Sequence, residues 1–163
     1  MNLASPRSLF FLAFLACAAM LGTGYYLQYA IGLEPCPLCI VQRIFFALAG
    51  LFSLLAAIHG PQPRGRRIYA VLVLLSSLGG AFTAARQVWL QTLPHDQLPS
   101  CLPPLDYMLE TMPFAETLRQ IFHGSADCAE VTWTLLSLSI PEWSLLAFVA
   151  FALFALYQLF RRG

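Results

Sequence analysis

The sequence predicts an all-α membrane protein: a four-transmembrane-helix bundle with a long outer loop that carries a short interfacial amphipathic helix. Three observations predict it. Of 163 residues, 59% are hydrophobic and only 10% charged, against roughly 25% charged in an average soluble domain. Four stretches are apolar for long enough to cross a bilayer core of about 30 Å, which takes roughly 20 residues at 1.5 Å each. The charges are also segregated by sign along the chain. The composition excludes a disordered chain, a nucleic-acid binder and an ordinary cytosolic enzyme.

The spans fall at about 9–30, 40–59, 68–90 and 143–160, within one integral membrane domain covering 1–163. The first is uncharged from Ser8 to Leu33, and the second has only His59 as a possible charge between Ile44 and Pro63. The third is uncharged from Ile68 to Ala85 and runs on past Arg86. The fourth covers Trp143 to Phe160. Each has to be a helix, because a span in lipid must satisfy its own backbone groups. Gly60 to Arg67 reads as a short basic turn closing spans two and three into a tight hairpin. The outer loops cover about 31–39 and 91–142, and no internal repeat appears.

Orientation follows from the arginines. All nine basic residues are Arg, and Arg7, Arg64, Arg66, Arg67, Arg161 and Arg162 fall on one side of the expected bundle. That side is cytoplasmic by the positive-inside rule. The eight acids, Glu34, Asp96, Asp106, Glu110, Glu116, Asp127, Glu130 and Glu142, fall on the other. Both termini are then expected in the cytoplasm and both loops outside. The N-terminal apolar run has some features of a cleaved signal peptide. Its continuation to Leu33 and the placement of the basic hairpin favour a retained first span.

Four of the five cysteines lie in the outer loops, Cys36 and Cys39 in the first and Cys101 and Cys128 in the second. Outside the inner membrane, disulfides are stable. Cys17 stands alone in the first span and reads as a small buried hydrophobe. Cys36-Pro37-Leu38-Cys39 is a Cys-x-x-Cys unit, a pattern shared by zinc ribbons and redox sites. Zinc usually needs two such clips, and the second pair is instead separated by 26 residues, so no metal is expected. A disulfide across two residues removes little entropy from the unfolded chain, which suits exchange better than stapling.

Pro37 suits the first position of a helix, making Cys36 the N-cap and placing Cys39 in the first turn. The free N–H groups and dipole there favour a thiolate. Arg43, four residues beyond Cys39, shares its face and is expected to lower that thiol further and attract an anionic ligand. The bland reading of Arg43 is an interfacial snorkel. Cys101 sits in a proline-rich stretch, open to attack by a partner's thiolate. A plain loop staple between Cys101 and Cys128, worth about 3–4 kcal/mol, fits the spacing equally well. Between them, Leu105, Met108, Leu109 and Met112, then Phe114, Leu118, Ile121 and Phe122, recur at helical spacing. At least the second run reads as an amphipathic helix on the bilayer surface or against the bundle top.

Glu34-Pro-Cys-Pro-Leu-Cys-Ile-Val-Gln-Arg43, Asp127-Cys-Ala-Glu130 with Trp133 after it, and Pro141-Glu-Trp143 resemble the bacterial disulfide bond formation protein B (DsbB) family, over essentially the whole chain. The resemblance implies a bacterial inner-membrane enzyme that reoxidises a DsbA-like periplasmic thiol oxidase. The electrons would go to a membrane quinone, ubiquinone or menaquinone. It further implies redox-active disulfides Cys36–Cys39 and Cys101–Cys128. Cys101 would be attacked by the partner, Cys128 would exchange with Cys36, Cys39 would lie nearest the quinone, and Arg43 would sit beside it. Arg86 is a weaker quinone-site candidate whose alternative is an interfacial snorkel. Some family members carry a histidine near the outer end of the third span. His95 stands in a different context here and takes no role.

A relative of vitamin K epoxide reductase usually places its Cys-x-x-Cys on a later span. A non-enzymatic scaffold would carry inert, buried bridges. A transporter would show several ionisable residues inside its spans, and these spans have almost none away from their ends.

Overall fold

The computed structural model describes residues 5–60, 62–94, 105–131 and 133–161. Four helices are long and apolar enough to cross a membrane: α1 (Pro6–Tyr29), α2 (Pro37–His59), α3 (Pro63–Gln91) and α7 (Ile140–Phe160). This is the expected all-α four-helix bundle, and it makes the chain a multi-pass membrane protein.

Local signals set each boundary. Ser5 caps α1, its Oγ accepting from the Ser8 N–H at 3.2 Å. Pro37 opens α2 behind the N-cap Cys36, and Gly60 closes it in a left-handed conformation at φ 53°, which glycine adopts without a Cβ penalty. Helix α2 therefore begins three residues before the expected span of 40–59. Helix α3 begins at Pro63 rather than at about 68, so Arg64, Arg66 and Arg67 lie in its first turns and not in a turn between helices. Proline's fixed φ suits a first helical turn, and long arginine stems lie along apolar surface while their charges reach a polar end. Arg66 is buried and donates to the Arg161 carbonyl, tying α3 to the end of α7. Arg7 donates to the carbonyls of Ala57 at 2.6 Å and Ile58 at 3.4 Å, covering the end of α2. The described members of the arginine set thus gather at one end and the described cysteines of the loops at the other. Arg162 and Asp96 lie outside the described residues.

Helix α3 packs against α2 and α7, and α1 packs against α2, whereas α1 and α7 barely meet. At mid-depth the Phe46 and Phe148 rings stack 3.9 Å apart, with Phe151 edge-on to Phe46. Gly80 of α3 makes this possible, since a Cβ there would overlap the Phe148 ring.

Between α3 and α7 the second loop folds back onto the bundle. Both amphipathic runs are helical, as α4 (Leu105–Thr111) and α5 (Phe114–His123), followed by the single turn α6 (Ala126–Ala129). Helix α5 turns Thr117 and Ile121 inward and leaves Phe114 exposed. One feature is new: β1 (Thr134–Leu135) pairs antiparallel with β2 (Leu138–Ser139). Leu136 and Ser137 connect the strands, with φ of 52° and 66°. Such a turn normally shows itself in a sequence as Asn-Gly or Asp-Gly, so Leu-Ser carried no sign of it. The hairpin leads into α7, where the Glu142 carboxylate accepts from the Ser139 N–H at 2.6 Å.

Candidate functional site

Three elements carry the described cysteines of the site to one place. Cys36 is the N-cap of α2 and Cys39 lies in its first turn, while Cys128 lies in α6. The C-terminal end of α3 makes the junction. Arg86 donates to the carbonyls of Phe122 at 3.1 Å and His123 at 3.0 Å, holding the end of α5. Leu90 packs where a Cβ on Gly124 would stand, and Gly124 turns the chain at φ 89°. Cys36, Leu38, Leu90, Ile121 and Cys128 then form one small apolar core. The segment before α2 and the segment between α3 and α7 are closed on each other by burial as much as by any sulfur chemistry.

The Cys36 and Cys39 sulfurs lie 3.1 Å apart, so closing a bond of about 2.05 Å needs only a small motion. Cys36 also hydrogen-bonds Cys128. That bond, with a second to Cys39 and burial, holds the Cys36 thiol well above its ordinary range. Cys36 thus keeps its proton and donates it. Cys128 receives the benefit: its thiol is pulled down to about 6, first by the bond from Cys36, against the opposing effect of burial. The Leu38 backbone and the Ser125 hydroxyl, 3.5 Å from the sulfur, add to this. A free N–H at the start of α2 therefore serves the sulfur of the other loop. In the reduced protein, alkylation of Cys128 should be half-maximal near pH 6. Cys36→Ala should move that midpoint up toward the ordinary thiol value, because the main donor is gone; mass-resolved labelling across pH measures it.

The arginines divide differently from the sequence expectation. Arg43 donates to Gln28 Oε1 at 2.5 Å and to the Gly24 carbonyl at 2.9 Å, and its guanidinium lies 4.9 Å from the Tyr25 ring centre. Its charge is anchored to α1, and the contacts described for the Cys39 sulfur are with Cys36 and Gln87 instead. Arg86 is turned to the α5 carbonyls and stacks on Trp89 at 4.3 Å. It organises the loop and is not among the residues lining the cavity described next. Cys101 lies outside the described residues. Cys17 is buried between α1 and α2, against Gly50.

A cavity of about 280 Å³ opens at the cysteine end, between α1 and α7. Met20, Leu27 and Phe46 give it apolar walls, and Cys36, Cys39, Arg43, Gln42 and Gln87 give it one reactive, polar side. Trp143 and Leu135 also line it, and the Trp143 indole N–H donates to the Leu135 carbonyl at 3.0 Å. Gln42 and Gln87 are residues that sequence reasoning passed over. Each is an uncharged amide in an otherwise apolar span, which is itself a signal, since polar groups at membrane depth are costly to bury without a partner.

Fold and site together define a multi-pass membrane protein with a dithiol lining a largely apolar cavity and a third cysteine delivered by a folded loop. The profile of the family described as disulfide bond formation protein DsbB matches residues 6–158. The chain is 65% identical to disulfide bond formation protein B 1 of Pseudomonas aeruginosa over 162 residues, 99% of each chain. It is 57% identical to disulfide bond formation protein B of Stutzerimonas stutzeri, again over 99% of both. With the Hahella chejuensis protein of that name it shares 52% identity over 96% of this chain and 94% of the other. The chain belongs to the DsbB family.

Proposed function

We propose that this protein is the membrane half of a disulfide-forming system. It reoxidises a DsbA-like periplasmic thiol oxidase by thiol–disulfide exchange and passes the two electrons to a membrane quinone, with both termini cytoplasmic and both cysteine loops periplasmic. The observation that carries this reading is the meeting of Cys36, Cys39 and Cys128 in one cluster, with Cys36 and Cys39 lining a cavity whose other walls are largely apolar. A structural staple has no use for an apolar chamber beside its sulfurs.

The exchange balances within the chain. Starting from a Cys36–Cys39 disulfide, the Cys128 thiolate attacks the Cys36 sulfur. A Cys128–Cys36 bond forms, the Cys36–Cys39 bond breaks, and its electron pair stays on Cys39. Attack by Cys101 on Cys128 then returns Cys36 as a thiol and leaves Cys101–Cys128 ready to oxidise the partner. With Cys36 in its disulfide the thiol donor is gone, and the Leu38 backbone and the Ser125 hydroxyl are the groups that still favour the Cys128 thiolate.

The cavity suits a flat, lipid-soluble acceptor: apolar walls at Met20, Leu27 and Phe46, with the Arg43 cation on the cysteine side. A bound quinone, whether ubiquinone or menaquinone, supplies a sink for two electrons and two protons. Arg43 offers a fixed positive charge where negative charge gathers.

Purified protein in nanodiscs, given a quinone and a reduced periplasmic dithiol protein, should oxidise that protein only when quinone is present. Arg43→Ala should raise the quinone KM about tenfold or more, the worth of one charge-assisted contact, with a smaller fall in kcat. Oxidation that ignores quinone would overturn the reading.

A further inference from the structure

The residue that touches all of this chemistry without yet having a role is Gln87. Its side chain is buried, and its amide nitrogen lies 3.3 Å from the Cys36 sulfur, 3.3 Å from the Cys39 sulfur and 3.4 Å from the Cys128 carbonyl. Its amide oxygen accepts from Gln42 Nε2 at 2.7 Å. An amide nitrogen has two hydrogens, so three acceptors compete for them and the bonds can move from one sulfur to the other. The Cys39 thiol also lies 3.6 Å from that oxygen, but the shorter bond from Gln42 fixes the amide plane and keeps the nitrogen within reach of both sulfurs.

We propose that Gln87 is a catalytic hydrogen-bond donor that stabilises the sulfur released when the Cys36–Cys39 disulfide opens, and that Gln42 is the positioning residue that holds it in that orientation. When Cys128 displaces Cys39 from Cys36, the electron pair arrives on the Cys39 sulfur. Gln87 already lies within reach of that atom and needs no reorganisation to donate to it. A disulfide sulfur is a weak acceptor and a thiolate a strong one, so the donor favours the open form over the closed one. The charged or titratable groups around the cluster are Cys36, Arg43 and Glu34 in or beside α2, and Cys128, Asp127 and Glu130 in or beside α6. Arg43 is anchored on α1, which leaves a neutral donor as the group that meets the developing charge. This inference deepens the relay proposed above and rests on it.

The test is the equilibrium of the Cys36–Cys39 pair with glutathione redox buffers at pH 7, in full-length protein whose Cys101 and Cys128 are changed to Ser, without quinone or partner. Gln87→Leu should lower the equilibrium constant for opening about tenfold, which is about 30 mV toward a more reducing couple. Gln87→Glu keeps the shape and removes the donor, so it should shift the constant the same way and at least as far. Gln42→Leu should give a smaller shift of the same sign, about threefold, the smaller effect expected of a neutral hydrogen bond acting indirectly. Should Gln87→Leu and Gln87→Glu both stay within twofold of the parent, the proposal is overturned. Because no quinone takes part, failure of quinone-dependent turnover in the unaltered protein sinks the relay without touching this measurement.

Discussion

Cys39→Ala should reduce quinone-dependent oxidation of a periplasmic dithiol protein to the uncatalysed level, a loss on the order of a thousandfold or more, as expected when a covalent participant is removed. The fold should survive it. Cys39 is only partly buried in the first turn of α2, and alanine is the best helix former, so thermal stability in the same nanodiscs should scarcely change. Cys36 and Cys128 remain side by side in this variant and can still join. Attack of Cys36 on a Cys101–Cys128 disulfide forms a Cys36–Cys128 bond and releases Cys101 as a thiol, so that disulfide should accumulate while turnover is absent, visible by mass spectrometry after peptide digestion. Cys17→Ala is the matching control. It removes another buried sulfur, packed against Gly50 and not itself part of the cavity lining, and turnover should persist. Near-normal turnover in Cys39→Ala would refute the relay.

Gly80→Ala should destabilise the bundle by about 2–3 kcal/mol, the upper part of the range for overpacking. The added methyl would overlap the Phe148 ring, and that ring has nowhere to go, being fully buried and stacked 3.9 Å from Phe46. Moving it would also disturb Phe46, which lines the cavity, so quinone use should fall together with stability. Phe148→Leu alone costs stability by leaving a void. In the double variant the two errors partly cancel, and the measured loss should be well below the sum of the single losses. Equilibrium unfolding of the four proteins in mixed detergent micelles gives the coupling directly. Simple additivity would mean that Gly80 does not set the α3–α7 spacing.

Much of this architecture can be read from composition alone. Four apolar runs in a chain with so few charges leave the backbone no stable state in lipid except helices, and Pro6, Pro37, Pro63 and Pro141 each stand at or next to the first residue of their helix. The Cys-x-x-Cys at the head of α2 was legible for the same reason: Pro37 makes a helix start, and a helix start makes Cys36 the cap. The Leu136–Ser137 hairpin was not legible, because its left-handed residues are held by the surrounding contacts against their own preference.

The division between the two levels is sharpest at the site. Which residue types exist, how they are spaced and that the spans must be helical are local matters, settled by hydropathy, proline geometry and charge. Where two polar side chains end up facing depends on how helices far apart in sequence rotate against one another, and no spacing rule reports that. Tertiary packing turned Arg43 to Gln28 and Gly24, gave Arg86 to the end of α5, and brought Gln87 and Cys128 onto Cys36 and Cys39. Buried donors must find acceptors wherever the fold offers them, and that requirement could be satisfied only after α3 and the second loop had closed over the start of α2.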